Sequence, residues 1–450
     1  MSSGKFKNPF HKPHIPPPSP LPPPTQDLIQ EPQPPTPALG PLPPTVLTAH
    51  ILPYLSPTTL LPLSLLNKTW LSIARNDSLW HRLCVLHGVR VGPWTDGLQW
   101  WEVFRIFWKR RGNWKRGVYG VKVVEVVGIG DSVNCFKYDA DVLLVGTRRH
   151  RLHLHHFPWT SVPHLSLSGH THPIMCLATT QQHLLTGDAT GTMMLWNIFT
   201  GGLLAVVKAH EGAVVGVGFV SGVVVSAGVN GQVKTWKIQT RVETETIIRE
   251  HQKGLRKISK KLQKRHVEVF EKEIVEFVHA NHIVAHVGDC FCVWVGEWVV
   301  TGGLDWCVKT WMPTTLAHHR TFRGHTDSVT CVAVHANWVM SGSLDKSIRQ
   351  WDLQTGACLH TFLGHTKWVK TLDVSEEWLV SGGWDECVLV WNWKEGKLGH
   401  RIDVQKGPVV ALQFDEEKIV VGCRGEDVQN ALIVVDFGED KHENKNQATS

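Results

Sequence analysis

The sequence predicts an α+β, multidomain chain: a small helical domain and a helical linker, followed by an all-β, seven-bladed propeller. Three observations carry this. A polar foursome recurs with a period of about forty residues, the spacing of propeller blades. The residues between its members alternate as strands do. A short stretch ahead of the repeats has apolar residues at helical spacing instead.

The foursome first has to be separated from catalysis. His325, Ser341 and Asp345 are the residue types of a hydrolase triad, in which a base activates a serine and a carboxylate orients the base. One repeat later His365, Ser381, Asp385 and Trp391 keep the spacing of His325, Ser341, Asp345 and Trp351. His170, Thr186, Thr190 and Trp196 fall in the same register, as do His210, Ser226, Asn230 and Trp236. A further copy has Thr301, Asp305 and Trp311, with His286 one residue out of step. An active site needs one such set, so five argue for architecture. No catalytic residue is assigned, and the chain reads as non-enzymatic.

Within a blade, VTCVAV and WVMSGS read as strands, and Gly-Ser-x-Asp as a tight turn where Asp takes a conformation most side chains resist. Asp can accept from the His ring, His can reach the Ser or Thr hydroxyl, and the Trp N–H completes a satisfied buried network. Thr190 and Asn230 replace the charged acceptor, which predicts looser blades there. Trp298, Trp338 and Trp378 each precede the Ser/Thr position by the same interval, as repeat packing residues. Cys176, Cys292 and Cys331 hold one strand position, as small apolar residues rather than metal ligands. The ten cysteines contain no C-x-x-C pair and no zinc spacing, so no metal or cofactor is expected. His153 and His155, in HRLHLHHF, read as a surface strand.

Two weaker copies, 133–157 and 409–438, bring the blades to seven. The segment 117–128 then has no blade of its own. It could pair with the last blade and remove two sheet edges, or simply lead into the first. Between the third and fourth repeats lies a basic insertion, about 240–277, where Leu255, Ile258 and Leu262 share a helical face. It suits a nuclear-import signal, a site for an acidic partner, or a solvated decoration.

The net charge of +6 is local, because residues 249–265 hold eight Lys/Arg against one Glu. A general nucleic-acid-binding surface is therefore poorly supported. No run is long enough to span a membrane, and MSSGKFKNPF lacks the apolar core of a secretory signal. Unpaired cysteines fit the cytoplasm or nucleus. Residues 1–41 are proline-rich and predicted disordered; they read as a solvated tail or a ligand for a proline-binding module. Residues 439–450 form a second predicted disordered tail.

The helical domain spans 42–86 and the linker 87–116, leaving 117–438 for the propeller. Leu47, Ile51, Leu52 and Leu55 lie at helical spacing. Ser56-Pro57 is an N-cap with a first-turn proline, Asp77 caps a further short helix, and Gly88 would end it. So small a unit cannot bury all its apolar residues and suggests a protein partner. Leu42-Pro43, Ile51-Leu52, Tyr54-Leu55, Ser56-Pro57, Leu60, Leu63, Leu66, Trp70 and Leu79-Trp80 resemble an F-box. Thr45, Asn67, Pro53 and Pro62 depart from that pattern.

The order F-box, linker, seven WD repeats resembles the substrate receptors of SCF-type ubiquitin ligases. The resemblance implies that Leu42, Pro43, Ile51, Leu52, Leu55, Leu60, Leu63, Leu66, Trp70, Leu79 and Trp80 bind a Skp-type adaptor, and through it cullin and RING subunits. It implies that the propeller binds a protein substrate's degron. Phosphate-reading relatives carry basic residues at two blade positions. Here the first set is Met175, Val215, Phe291, Thr330 and Lys370. The second is Arg148, Ala189, Val229, Leu304, Leu344, Trp384 and Arg424. Arg148, Lys370 and Arg424, with Lys367, would form a basic arc beside an apolar floor of Phe291, Leu304, Leu344 and Trp384. An acidic or phosphorylated degron with an apolar anchor would suit it. The alternative is a WD-repeat scaffold outside any ligase.

Overall fold

The computed structural model describes residues 77–86, 97–124, 131–139, 142–156, 162–249, 266–424 and 432–438, with Val89 and Trp159. Among the described residues two helices, α1 (Asp77–Leu86) and α2 (Trp100–Arg116), precede seven four-stranded antiparallel sheets. The innermost strands are Val133–Asp139, Ile174–Thr179, Val214–Val220, Cys290–Val295, Val329–His335, Val369–Val374 and Val409–Phe414. Each lies beside the next, and the first lies beside the last, so the sheets close into a seven-bladed ring.

Closure uses the orphan strand. Gly120–Val124 pairs antiparallel with Leu432–Asp436, from Gly120↔Asp436 to Val124↔Leu432. It thereby becomes the outer strand of the seventh blade and ties the two ends of the propeller together. Among the described residues the propeller's apolar core is divided among seven clusters, one in each seam between neighbouring blades.

Every innermost strand carries a β-bulge at the same place, for example between Val329 and Cys331 and between Val369 and Thr371. Opposite Cys331 stands Gly342, where an added Cβ would meet the Cys331 sulfur at 2.6 Å. The bulge thus needs a small residue on one strand and rewards a compact thiol on the other. Burial pushes the thiols of Cys135 and Cys331 up to about 12, so they stay protonated and serve as packing.

Three expectations change. His153 and His155 are not on the surface, being 8% and 1% exposed. The third blade does not end near residue 240. Its two outer strands run on as Gln232–Arg249 and His266–Val284, paired from Gln232↔Val284 to Arg249↔His266. β-Branched residues alternate with polar ones through RVETETII, which suits a long ribbon. Leu255, Ile258 and Leu262 lie outside the described residues. The residue in left-handed conformation is not the turn Asp but its successor: Trp306, Lys346 and Glu386 have φ of 62, 71 and 60°.

Candidate functional site

The polar foursomes are internal braces. In the fifth blade His325 Nδ1 lies 2.7 Å from Asp345, and His325 Nε2 lies 2.8 Å from Ser341 Oγ. Trp351 Nε1 donates to the same Ser341 oxygen at 2.8 Å. Ser341 has no exposed surface, so no substrate can reach it. The sixth blade repeats the arrangement with His365, Asp385, Ser381 and Trp391. The fourth does so with His286, Asp305, Thr301 and Trp311, despite the shifted histidine.

The second blade corrects the sequence reading. Its acceptor is Asp188, 2.9 Å from His170 Nδ1, while Thr190 donates its hydroxyl to Asp188 at 2.7 Å. The charge has moved two residues along the turn and is not lost. In the third blade the loss is real. His210 Nε2 reaches Ser226 at 2.9 Å, but Nδ1 is buried without a hydrogen-bond partner. Burial, with Lys234 adding to it, pushes the His210 pKa down to about 4. Burial pushes the Asp345 carboxyl up, but hydrogen bonds from His325 and Ser347 prevail and hold it well below the usual carboxylate range.

Each brace ties the loop entering a blade to the turn between its second and third strands. Those loops and turns form one face of the ring. All seven turns share one backbone bond: Arg148, Ala189, Val229, Leu304, Leu344, Trp384 and Arg424 donate their N–H to Ser132, Pro173, Ala213, Asp289, Ser328, Trp368 and Pro408 at 2.8–3.0 Å. The second set of positions is therefore structurally equivalent around the ring. The first set, Met175, Val215, Phe291, Thr330 and Lys370, sits at the bulges, where Asn134 and Val410 complete it.

On this face Arg148, Lys367, Lys370 and Arg424 are exposed, in the adjoining first, sixth and seventh blades. Lys370 stands at the bulge of the sixth blade's innermost strand, between Val369 and Thr371. Leu304 is 45% exposed, while Phe291, Leu344 and Trp384 are half-buried. Trp306 and Trp368, 51% and 47% exposed, also belong to the mouth, and Trp368 packs on Trp384 at 5.3 Å. The sequence reading passed over both because each lies two residues off the blade positions considered, Trp306 from Leu304 and Trp368 from Lys370. A tryptophan in a polar turn was the available signal. Among the described residues no group of His, Cys, Asp or Glu could hold a metal ion.

The opposite face carries the helical arm. Glu102 accepts the Gln99 N–H at 3.3 Å and Asp77 accepts the Trp100 N–H at 2.7 Å, together fixing the start of α2. Val103, Phe104, Phe107 and Trp114 make its apolar stripe, and Gly117 at φ 65° ends it. Leu79 and Trp80, assigned to adaptor contact through the resemblance, are 1% and 5% exposed. Trp80 packs on Phe104 at 5.3 Å, and His81 on Trp100 at 4.4 Å. The structure gives Leu79 and Trp80 a packing role in the joint between the helices. The other F-box residues, Leu42, Pro43, Ile51, Leu52, Leu55, Leu60, Leu63, Leu66 and Trp70, lie outside the described residues.

Helix α2 is fastened to the ring by its last turns. Trp114 stacks on Phe437 at 3.9 Å and 14°, and its indole N–H donates to Glu416 O at 2.9 Å. Asn113 donates to Phe437 O at 2.7 Å, and His400 bonds Trp114 O at 2.7 Å. Arg110 pairs with Glu417, and Arg111 with Glu377. Glu377, Glu416 and Glu417 sit in turns between first and second strands, at the ring face away from the mouth.

Fold and site define a class: a propeller with an open, braced mouth on one face and a helical attachment on the other. Comparison with known proteins agrees. The F-box-like family matches residues 42–86. The WD domain, G-beta repeat, matches 161–197 and 317–352, and the tRNA methyltransferase TRM82 WD40 domain matches 360–433. The chain is an F-box/WD-repeat protein. Over 73 residues it is 37% identical to the kinesin-like protein KIF21B of Mus musculus and of Homo sapiens, a stretch covering 16% of this chain and 4% of those relatives. The computationally designed Ika8 protein superposes with a TM-score of 0.52 at 24% identity, over 68% of this chain and 83% of that one. The WD40 β-propeller domain of Doa1 gives 0.53 at 19% identity, over 70% and 97%. These two likenesses concern the fold alone.

Proposed function

We propose that this chain is the substrate-recognition subunit of an SCF-type E3 ubiquitin ligase, working in the cytoplasm or nucleus. Its F-box binds a Skp-type adaptor that brings cullin and RING subunits, and its propeller holds a substrate degron. The observation that carries this reading is the arm. The last helix of the F-box match is packed onto α2, and α2 is stacked and hydrogen-bonded to the ring on the face away from the mouth. Within the described residues, that path fastens the end of the F-box match to the face of the ring away from the mouth. Catalysis then works by proximity: a held substrate presents its lysines at high effective concentration to a conjugating enzyme carried elsewhere in the complex. This chain contributes no nucleophile.

The degron is acidic or phosphorylated and carries an apolar anchor. Arg148, Lys367, Lys370 and Arg424 supply positive charge from three adjoining blades, and guanidinium–phosphate pairs are strong when several converge. Phe291, Leu304, Leu344 and Trp384, with Trp368, receive the apolar residue. Two measurements test this. The full chain should co-purify with a Skp-type adaptor; failure would leave a WD-repeat scaffold. Matched phosphothreonine and threonine peptides with flanking leucines should differ in affinity by about tenfold or more. Equal affinities would remove the phosphate from the reading but leave the adaptor untouched.

A further inference from the structure

On the arm side of the ring, three blades place a tryptophan at or just before the start of the second strand, packed into the seam with the next blade. Trp338 and Trp378 open Trp338–Ser343 and Trp378–Gly383, and Trp298 stands just ahead of Val299–Gly303. Each fills its seam. Trp298 lies on His319 at 4.3 Å, Trp338 near Trp393 at 6.5 Å, and Trp378 near Trp114 at 6.0 Å. The third case is informative, because Trp114 does not belong to the propeller repeat. Helix α2 delivers it from outside, against Phe437 and Phe414.

The first blade has Val142 at this place, opening Val142–Thr147, as the second, third and seventh have His183, Val223 and Lys418. The paired row Val300, Thr310, Arg320 of the fourth blade corresponds to Leu144, Leu154, Leu165 of the first. His319 precedes Arg320 and His164 precedes Leu165, so the histidine is kept where the tryptophan is absent. Across the seam Thr179 ends the second blade's inner strand, where Phe414 ends that of the seventh. Small residues at these places leave a cleft of about 320 Å³, lined in part by Val142, Leu144, Leu154, Ile198 and Phe199. That volume lies in the range of ligand pockets, and apolar cavities about half that size already take up aromatic molecules. Phe199 is 77% exposed at the cleft. The turn holds it there, with its N–H donating to Asn197 Oδ1 at 2.9 Å.

We propose that the seam between the first and second blades is a second binding site, and that it takes a tryptophan side chain presented by a partner polypeptide. The seam between the sixth and seventh blades is the internal precedent, since it already holds Trp114 from the arm. In the first seam the indole lies against His164, as Trp298 lies against His319, and Phe199 covers its outer edge. The site faces away from the mouth, so a partner here and a guest there do not compete. None of this depends on the ligase reading.

The test titrates the full chain with N-acetyl-tryptophanamide, and separately with a short peptide containing one tryptophan, by saturation-transfer NMR. Both bind saturably, the peptide more tightly. Val142→Trp fills the seat from within and removes binding of both probes without lowering Tm. Should that variant not fold, Phe199→Ala still decides: it weakens binding about threefold to tenfold, the worth of one aromatic pair, at unchanged Tm. No binding by the wild type, or equal binding by the wild type and Phe199→Ala, overturns the proposal. Binding of the amide but no tighter binding of the peptide overturns the polypeptide partner.

Discussion

The two faces of this ring carry similar residues and use them in opposite ways. On the arm side Trp114 is 3% exposed, stacked on Phe437, and hydrogen-bonded through its ring nitrogen. On the mouth side Trp306 and Trp368 are 51% and 47% exposed, and Trp384 is half-buried beside Trp368. An indole left in water forgoes burial worth about 2 kcal/mol or more, so a cluster of them needs a reason beyond folding. The mouth is nonetheless not loose. The His–Asp braces lie directly beneath it and fasten the loops that bear those tryptophans. What the contrast teaches is a division of labour: one face is finished within the chain, and the other is held rigid and left open.

Substitution of matched tryptophans gives the largest expected difference. Trp114→Ala should cost about 3–5 kcal/mol in urea titration and free the chain around Gly117 to proteolysis. Trp384→Ala should cost about 1 kcal/mol or less while weakening guest binding. Equal losses would mean that the mouth is ordinary packed surface, and the comparison would fail.

Acid provides the next test, aimed at the braces under the mouth. The folded pKa of His210 is lowered to about 4 against an ordinary 6.5, so between those values the unfolded chain binds the proton first. Stability is therefore full above pH 6.5 and falls as pH drops toward 4, by about 1–3 kcal/mol from this group. His170 and His286 are also lowered, chiefly by burial, and act in the same direction. The Asp345 contribution behaves separately, being present above the ordinary carboxylate range and lost below it. Thermal melts across this range check the window.

The smallest effect sharpens the comparison within the braces. Asn230→Asp places a carboxylate where the fifth blade has Asp345, opposite the buried His210 Nδ1. It should stabilise the chain by about 1 kcal/mol and raise the His210 pKa, read by imidazole NMR. A destabilised variant would mean that the third blade cannot seat the acid.

Much of this was legible in the sequence, because a repeat writes each structural role several times. Trp351 and Trp391 fix the register, and any residue at constant distance from them inherits a position. The orphan strand Gly120–Val124 was legible for the converse reason, as β-rich residues without a blade of their own. What escaped was whatever broke the count. Asp188 takes over from Thr190 two residues early, and only the folded turn shows Asp188 reaching His170 while Thr190 donates to Asp188. His153 and His155 read as surface because imidazole is polar, yet the third strand of the first blade, Arg151–His156, is buried on both faces. The seat of Trp114 could not be read at all, since nothing in WKRRGNWKRG says which seam receives it. The cleft beside Val142 is an absence, visible only when seven blades are overlaid.

The most direct test of the two-faced account is a separation of function. The wild type, Leu42→Ala/Pro43→Ala and Arg148→Ala/Lys370→Ala are each mixed with a Skp-type adaptor and with the phosphothreonine peptide, and both affinities are measured. The account predicts that the first double variant loses the adaptor and keeps the peptide, that the second does the reverse, and that all three melt together. Loss of both ligands in either variant, or an adaptor indifferent to Leu42 and Pro43, would contradict it.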